Sequence, residues 1–237
     1  MKLACASGAF DRTIHRGDLT QLEFIERCAR ELACDGIVLD VRHFPRTDDD
    51  YLAQLKKFAT DLGLCIAAVD DDGFFAGDAP AISATLALAT RLGAPLVTGR
   101  LLAETARSWS EQAEILGIAT GQAKAANVTL ALRNAPGTFA AAARDCKRAM
   151  KEADSAWLRV GLDVSAISPE DGPALAGKAV LLWRSIDDPA RFDASAFDEF
   201  RGTLVLDDAS GNATAAGMQN ALRDIRNALA TRELNRT

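Results

Sequence analysis

The chain is poor in the residues that announce metal clusters, disulfide frameworks and nucleic-acid surfaces. Histidine occurs only at His15 and His43, and tyrosine once, in 237 residues. Two histidines cannot supply the several-ligand clusters of metal-dependent nucleases. The five cysteines (Cys5, Cys28, Cys34, Cys65 and Cys146) are odd in number and form no Cys-x-x-Cys pair. They read as reduced, small hydrophobes. No apolar run approaches the ~20 residues of a membrane span, and Met1–Phe10 holds no apolar stretch of signal-peptide length. A cytoplasmic location without membrane association is the expectation. Basic residues are also in the minority, 27 against 33 acidic, for a net charge of −6. Such a surface repels phosphate backbones, so no nucleic-acid partner is expected. Finally, no Pro- or Gly-rich linker divides the chain, which reads as a single domain over residues 1–237.

What the chain does have is an alternation of short apolar runs and helical patterns, at an ordinary globular hydrophobic content of 49%. Strands are expected at Lys2–Ser7, Gly36–Val41, Cys65–Asp70, Pro95–Leu101, Thr129–Asn134, Leu158–Val164, Val180–Ile186 and Thr203–Asp208. Their near-continuous Val, Ile, Leu and Ala content suits parallel strands covered on both faces. Thr20-Gln21-Leu22-Glu23 and Ser108-Trp109-Ser110-Glu111 are capping boxes that open helices. Helices over Asp50–Asp61 and Ala79–Leu92 close at Gly63 and Gly93, each suited to a left-handed cap. Further helices are expected up to about Ala126, over Thr138–Ala153 and over Ala213–Arg232, with weaker signals around Gly172–Lys178 and Ala194–Phe200. Eight such units match a closed α/β barrel, a single (β/α)8 TIM barrel. An open doubly wound sheet would favour a glycine-rich phosphate turn after the first strand, and Ser7-Gly8-Ala9-Phe10 offers a single glycine.

In a barrel of this kind the functional residues sit at the C-terminal ends of the strands. Here those ends carry Asp40, Asp70, Arg100, Arg133, Asp163, Arg184 and Asp207. Charges at the edge of a core must be paired or used. One reading is a self-neutralising ring of ion pairs. The other is a polar pocket whose guanidiniums hold an anionic ligand by their bidentate fork.

Several segments resemble the xylose isomerase-like barrels, a family of sugar and sugar-phosphate isomerases and epimerases. They are Cys34-Asp35-Gly36-Ile37-Val38-Leu39 with Arg42-His43-Phe44, Leu62-Gly63-Leu64, and Arg91-Leu92-Gly93-Ala94-Pro95. Ala126–Asn134, Arg159-Val160-Gly161-Leu162-Asp163 and Gly202–Asp207 continue the likeness over nearly the whole chain. The resemblance implies a metal-binding Glu before Asn134, where this chain has Arg133. It implies a His three residues after Asp163, where Ala166 stands, and a ligand His on the seventh strand, where Trp183 and Arg184 stand. Asp207 takes the place of a closing Glu, and Val38 that of a common Glu on the second strand. With its metal ligands degenerate in this way, the chain is expected to carry no cofactor. Asp163, Asp207 and Asp208 are the candidates should Mg or Mn bind with waters.

The expected function is isomerase- or epimerase-like proton transfer on a small hydroxylated, anionic metabolite such as a sugar or sugar acid. Asp163 and Asp207 would form the acid–base pair, Arg133 and Arg184 would stabilise an enediolate-like oxyanion, and Arg100 would position the anion. The alternative is a non-catalytic descendant, a pseudoenzyme that keeps the pocket as a binding module. Asp40 and Asp70 would contact ligand hydroxyls. His43 reads either as a proton shuttle or as a hydrogen-bonding turn residue. His15 reads as loop decoration. Phe10 and Phe74, on loops after strands, read as a wall against a sugar's apolar face or as rim packing. A homo-oligomer is compatible with the family.

Overall fold

The computed structural model describes residues 1–188, 193–198 and 200–234. Eight parallel strands close into a barrel in chain order. They are β1 Lys2–Ala6, β2 Gly36–Asp40, β3 Cys65–Asp70, β4 Leu96–Arg100, β5 Thr129–Arg133, β6 Leu158–Asp163, β7 Ala179–Ser185 and β8 Thr203–Asp207. Closure comes from β1 pairing with β8, Lys2 opposite Thr203 and Cys5 opposite Leu206. All eight expected strands are present.

The helices form the outer layer: α1 Asp11–His15, α2 Gln21–Arg30, α3 Asp49–Asp61, α4 Ala79–Leu92, α5 Trp109–Ala126, α6 Ala143–Ala153, α7 Pro173–Ala176 and α8 Ala215–Leu234. Both capping boxes form: Thr20 accepts from the Glu23 N–H and Ser108 from the Glu111 N–H, each Glu side chain reaching back. Helix α6 starts later than its apolar pattern suggests. Pro136 and the left-handed Gly137 turn the chain, and Thr138 bridges to Ala103 instead of entering a helix. The two weakest connections stay short: α7 has four residues, and Ala194–Phe197 is a single 3-10 turn. Residue 199 of that expected stretch lies outside the described residues. No helix among the described residues is long and apolar enough to cross a membrane.

Side chains on the strands alternate between two hydrophobic clusters. Leu39, Val69, Val97, Leu132, Leu162, Leu182 and Leu206 point outward and pack under the helices. Ala4, Ala6, Val38, Ala67, Ala68, Ala131, Leu181, Trp183 and Val205 fill the inside. The interior is therefore mostly alanine, with one large ring, the fully buried Trp183, taking up the space. Continuing the two-residue period carries the inner face to Asp40, Asp70, Arg100, Arg133, Asp163 and Asp207 at the strand ends.

Several glycines are required by close approach, Gly202 most tightly. A Cβ on Gly202, ahead of β8, would lie 2.2 Å from the Val180 carbonyl oxygen and 2.7 Å from the Phe200 ring. Gly121 in α5 has nothing within 4 Å of such an atom. Gly202→Ala is therefore expected to destabilise the barrel by about 2 kcal/mol or more through overpacking. Gly121→Ala should stabilise by up to ~1 kcal/mol through helix propensity. Urea unfolding of the two variants checks both signs.

Candidate active site

The mouth of the barrel is organised around Arg133. As the last residue of β5 on the inner parity, it projects along the barrel axis rather than into the helical layer. Its Nη2 lies 2.7 Å from Asp163 Oδ2 and 3.1 Å from Asp207 Oδ2, and its Nε lies 3.0 Å from Asp163 Oδ2. The guanidinium carbon stands 3.9 Å from the centre of the Trp183 ring, a cation–π contact of the desolvated, stronger kind. Burial works against the charge on Arg133, but the carboxylates of Asp163, Asp207 and Asp70 outweigh it and hold its pKa above the ordinary value. The next residue, Asn134, locks the neighbouring strand. Its Nδ2 donates to the Asp163 carbonyl at 3.0 Å and its Oδ1 accepts from the Asp163 N–H at 2.7 Å.

The rest of the ring is paired in the same spirit. Arg42, just past β2, donates to Asp40 from Nη2 at 2.6 Å and from Nε at 3.1 Å, and its Nη2 also reaches Asp11 at 3.2 Å. Arg100 meets Asp72 at 3.3 Å. Asp207 accepts the Asp208 N–H at 2.9 Å, and the two oxygens of Asp208 accept from the N–H groups of Ser210 and Asn212. Asp70 is the exception. It is 8% exposed, and its Oδ1 has no hydrogen-bond partner among the described residues. Burial pushes its carboxyl well above the usual carboxylate range, only partly offset by the charge of Arg133. Asp70 is thus a cavity-lining acid whose surroundings favour the proton-carrying form.

These residues enclose a cavity of about 190 Å³ lined by Asp40, Asp70, Arg100, Arg133 and Asp207, with Gly8 and Gly211 supplying bare backbone. A larger hollow of about 540 Å³ lies outside the barrel against α3, beside Leu52, Lys56 and Arg91. It holds no convergent set of reactive groups, so the smaller cavity is the candidate site.

Five of the expected residues do not line this cavity: Asp163, which reaches it only through Arg133, and Arg184, Phe10, Phe74 and His43. Arg184 falls between the inward Trp183 and Ser185 and so lies on the outer parity of β7. It pairs with Asp188 at 3.3 Å instead of joining the mouth. Phe10 and Phe74 are 1% and 2% exposed. Phe10 packs on Phe24, with ring centroids 6.0 Å apart, and Phe74 on Phe75, at 5.0 Å. Both rings are core, because the 3-10 turns that carry them fold back under the helices. His43 is buried, with Nδ1 2.8 Å from Ser7 Oγ and Nε2 3.0 Å from Asp11 Oδ1. It sits beside the cavity rather than in its lining. Arg42, Asp11, Asp72 and Trp183 are parts of the site that strand-end reasoning passed over. Arg42 follows the strand-end Asp40 by two residues, and Trp183 shares the inner parity of Leu181, so both carried a readable signal.

The metal position implied by the family resemblance does not fit the residues present. A guanidinium lies between the two carboxylates that would ligate the ion, and Trp183 covers it where a histidine ligand is implied. A cation placed there would meet a fixed positive charge within ligand distance. Among the described residues, Asp163, Asp207 and Asp208 do not form a converging ligand group.

No protein-family profile and no curated protein matches the chain. Solved structures do. A D-psicose 3-epimerase from Clostridium cellulolyticum H10, solved with D-tagatose, superposes with a TM-score of 0.78 at 15% identity, over 97% of this chain and 99% of that one. An L-ribulose 3-epimerase gives 0.74 at 19% identity, over 100% and 98%. A xylose isomerase-like TIM barrel/4-hydroxyphenylpyruvate dioxygenase fusion protein gives 0.72 at 18% identity, over 95% of this chain and 42% of that one. At these identities the likeness speaks for the architecture and leaves the chemistry to the side chains. The chain therefore has the xylose isomerase-like TIM-barrel fold, with an arginine standing where the resemblance implies a metal-ligating glutamate.

Proposed function

We propose that this barrel is a sugar isomerase- or epimerase-like enzyme. It would move a proton at the carbon beside a carbonyl, with Arg133 in place of a strand-end metal ion. The observation that carries this reading is the Arg133 guanidinium fixed between Asp163 and Asp207 while lining the mouth cavity. Proton abstraction beside a carbonyl develops negative charge on the carbonyl oxygen. A preorganised cation in a water-poor site stabilises that charge without reorganising during the step. The epimerases that share the fold act on sugars, which agrees with a small polyhydroxylated ligand.

The proton-carrying role passes from the expected pair to Asp70. Asp163 and Asp207 each have an oxygen committed to Arg133, which makes them positioning residues for the guanidinium. Asp70 lines the same cavity with an oxygen that has no partner among the described residues. Its raised pKa brings it nearer to neutrality, where a general acid or base works best.

Charge at the mouth favours an uncharged polyol over the anion expected from the sequence. Arg42, Arg100 and Arg133 already face carboxylates. The cavity lining has three guanidiniums against the carboxyls of Asp11, Asp40, Asp70, Asp72, Asp207 and Asp208. An added carboxylate or phosphate would enter a field of its own sign. The competing reading, a binding module without turnover, draws on the same saturation of charge.

Three measurements test this reading. Solvent-deuterium exchange into a panel of ketoses and aldoses, followed by NMR, should show wash-in at the carbon beside the carbonyl for at least one neutral sugar. Asp70→Asn should slow it by about 100-fold or more while ligand-induced thermal shifts persist. Binding without exchange in the native chain would replace the enzyme with the module.

Arg133→Ala should unfold more easily by about 3–5 kcal/mol, because it strands two buried carboxylates. It is thus a stability variant as well as a functional one. Arg133→Ala combined with Asp163→Asn should recover part of that loss in chemical denaturation.

The third is the pH dependence of stability. Asp70 has a folded pKa above its unfolded value of ~4. Its favourable contribution is therefore complete below that unfolded value and is lost as pH rises through the folded pKa. The native chain should lose stability relative to Asp70→Asn by up to about 1.4 kcal/mol per pH unit across that window. Parallel urea titrations from pH 4 to pH 8 measure the divergence.

A further inference from the structure

Outside the strand-end ring, the loops after β1 and β2 bring together three side chains to which the proposed chemistry gives no proton-transfer role. Asp11 and His15 are the first and last residues of α1, four apart and so on one face. The 3-10 turn Val41–His43 after β2 brings His43 to the same place. Among the described residues, Asp11, His15 and His43 form the group whose ligand atoms all lie within 4.8 Å of one another. His43 Nε2 is 3.0 Å and His15 Nδ1 3.3 Å from the same Asp11 oxygen.

Those separations suit a shared ion. Ligand atoms about 2.0–2.1 Å from a tetrahedral zinc stand ~3.3 Å apart. Two imidazoles and one carboxylate are a donor set for zinc and neighbouring transition ions, and a poor one for magnesium or calcium. A supporting partner is present too. The His43 side chain is fully buried, and its Nδ1 lies 2.8 Å from Ser7 Oγ, which also accepts the Asp40 N–H at 2.9 Å. A lone pair of that hydroxyl can take the Nδ1–H, which leaves Nε2 as the ligating nitrogen. Arg42 Nη2 touches the Asp11 oxygen at 3.2 Å, but it also holds Asp40 Oδ2 at 2.6 Å. An ion taking Asp11 therefore leaves Arg42 paired.

The geometry points to a divalent transition-metal site of the zinc class, ligated by Asp11, His15 and His43, at the rim of the mouth. Three protein ligands leave coordination positions for water or a ligand hydroxyl, and Asp11 lines the mouth cavity, so those positions adjoin it. The site is separate from the strand ends of β5–β8, and it stands whether or not the barrel turns over a sugar.

The test is titration of the chelator-stripped protein with Co²⁺ and then Zn²⁺. One equivalent of Co²⁺ per chain should bring up visible d–d absorption, which Zn²⁺ then removes. His15→Ala, at an exposed position that leaves the fold intact by circular dichroism, should weaken Co²⁺ binding by about 10-fold or more. His43→Gln should weaken it further. Absence of binding at millimolar Co²⁺ in folded protein overturns the site. So does binding that His15→Ala and His43→Gln leave unchanged.

Discussion

A guanidinium buried at the end of β5 must be neutralised where it sits, and much of the barrel's polar architecture follows from that requirement. Arg133 is 6% exposed, and an unpaired charge at that depth is not tolerated by a folded domain. Asp163 from β6 and Asp207 from β8 supply the countercharge, so three strands are held in register at the mouth by one side chain. The reciprocal bonds of Asn134 with the Asp163 backbone then fix the strand of the first of these carboxylates, β6. Such a network stiffens the mouth without adding much net stability, because desolvating its members offsets most of the Coulombic gain. Its effect is to hold one charge in one orientation, which is also what electrostatic stabilisation of a developing oxyanion requires.

Pairing elsewhere around the ring makes Asp70 stand out. Arg42 takes Asp40, Arg100 takes Asp72, and the two oxygens of Asp208 take backbone N–H groups. Once these partners are assigned, the remaining carboxyl is driven toward its neutral form by burial, with the acids around it adding to the effect. An acid in that state beside a fixed cation is the combination that proton transfer next to a carbonyl calls for. The same pairing leaves little positive charge for an anionic ligand. The roles of the mouth therefore come from what each charge already faces rather than from residue type alone.

The architecture was legible because it is written in local signals. Eight apolar runs, two capping boxes and the closing glycines Gly63 and Gly93 each depend on neighbours within a few residues. The strand-end positions of Asp40, Asp70, Arg100, Arg133, Asp163 and Asp207 were equally readable, since each ends a strand on the inner parity. Arg184 was misplaced by a single residue of parity. The register between β6 and β7 shifts at Val160/Gly161, and no local pattern reports that irregularity. For Phe10 and Phe74 the sequence leaves a ligand wall and rim packing open, and their burial selects packing, because their 3-10 turns return them to the core. The contact of His43 with Asp11 joins loops 32 residues apart, which becomes visible only when the barrel closes.

The interior of the barrel shows why the arginine is stable in the place where the family resemblance implies an ion. Alanines on β1, β3 and β5 leave room that Trp183 fills from β7, and the filled ring presents its face to the guanidinium. A ring face attracts a delocalised, weakly hydrated cation and offers no lone pair to a metal. Relative to the ionised glutamate that the family resemblance implies on β5, arginine carries two more units of charge, the charge of a divalent ion. Replacing a histidine by tryptophan on β7 then exchanges a metal ligand for a surface on which the new cation stacks. A glutamate beside Asp163 and Asp207 would repel its neighbours without an ion, and an arginine there would repel an ion. Arg133 and Trp183 thus act as a pair, the ring supplying the face on which the buried guanidinium stacks while Asp163 and Asp207 neutralise it.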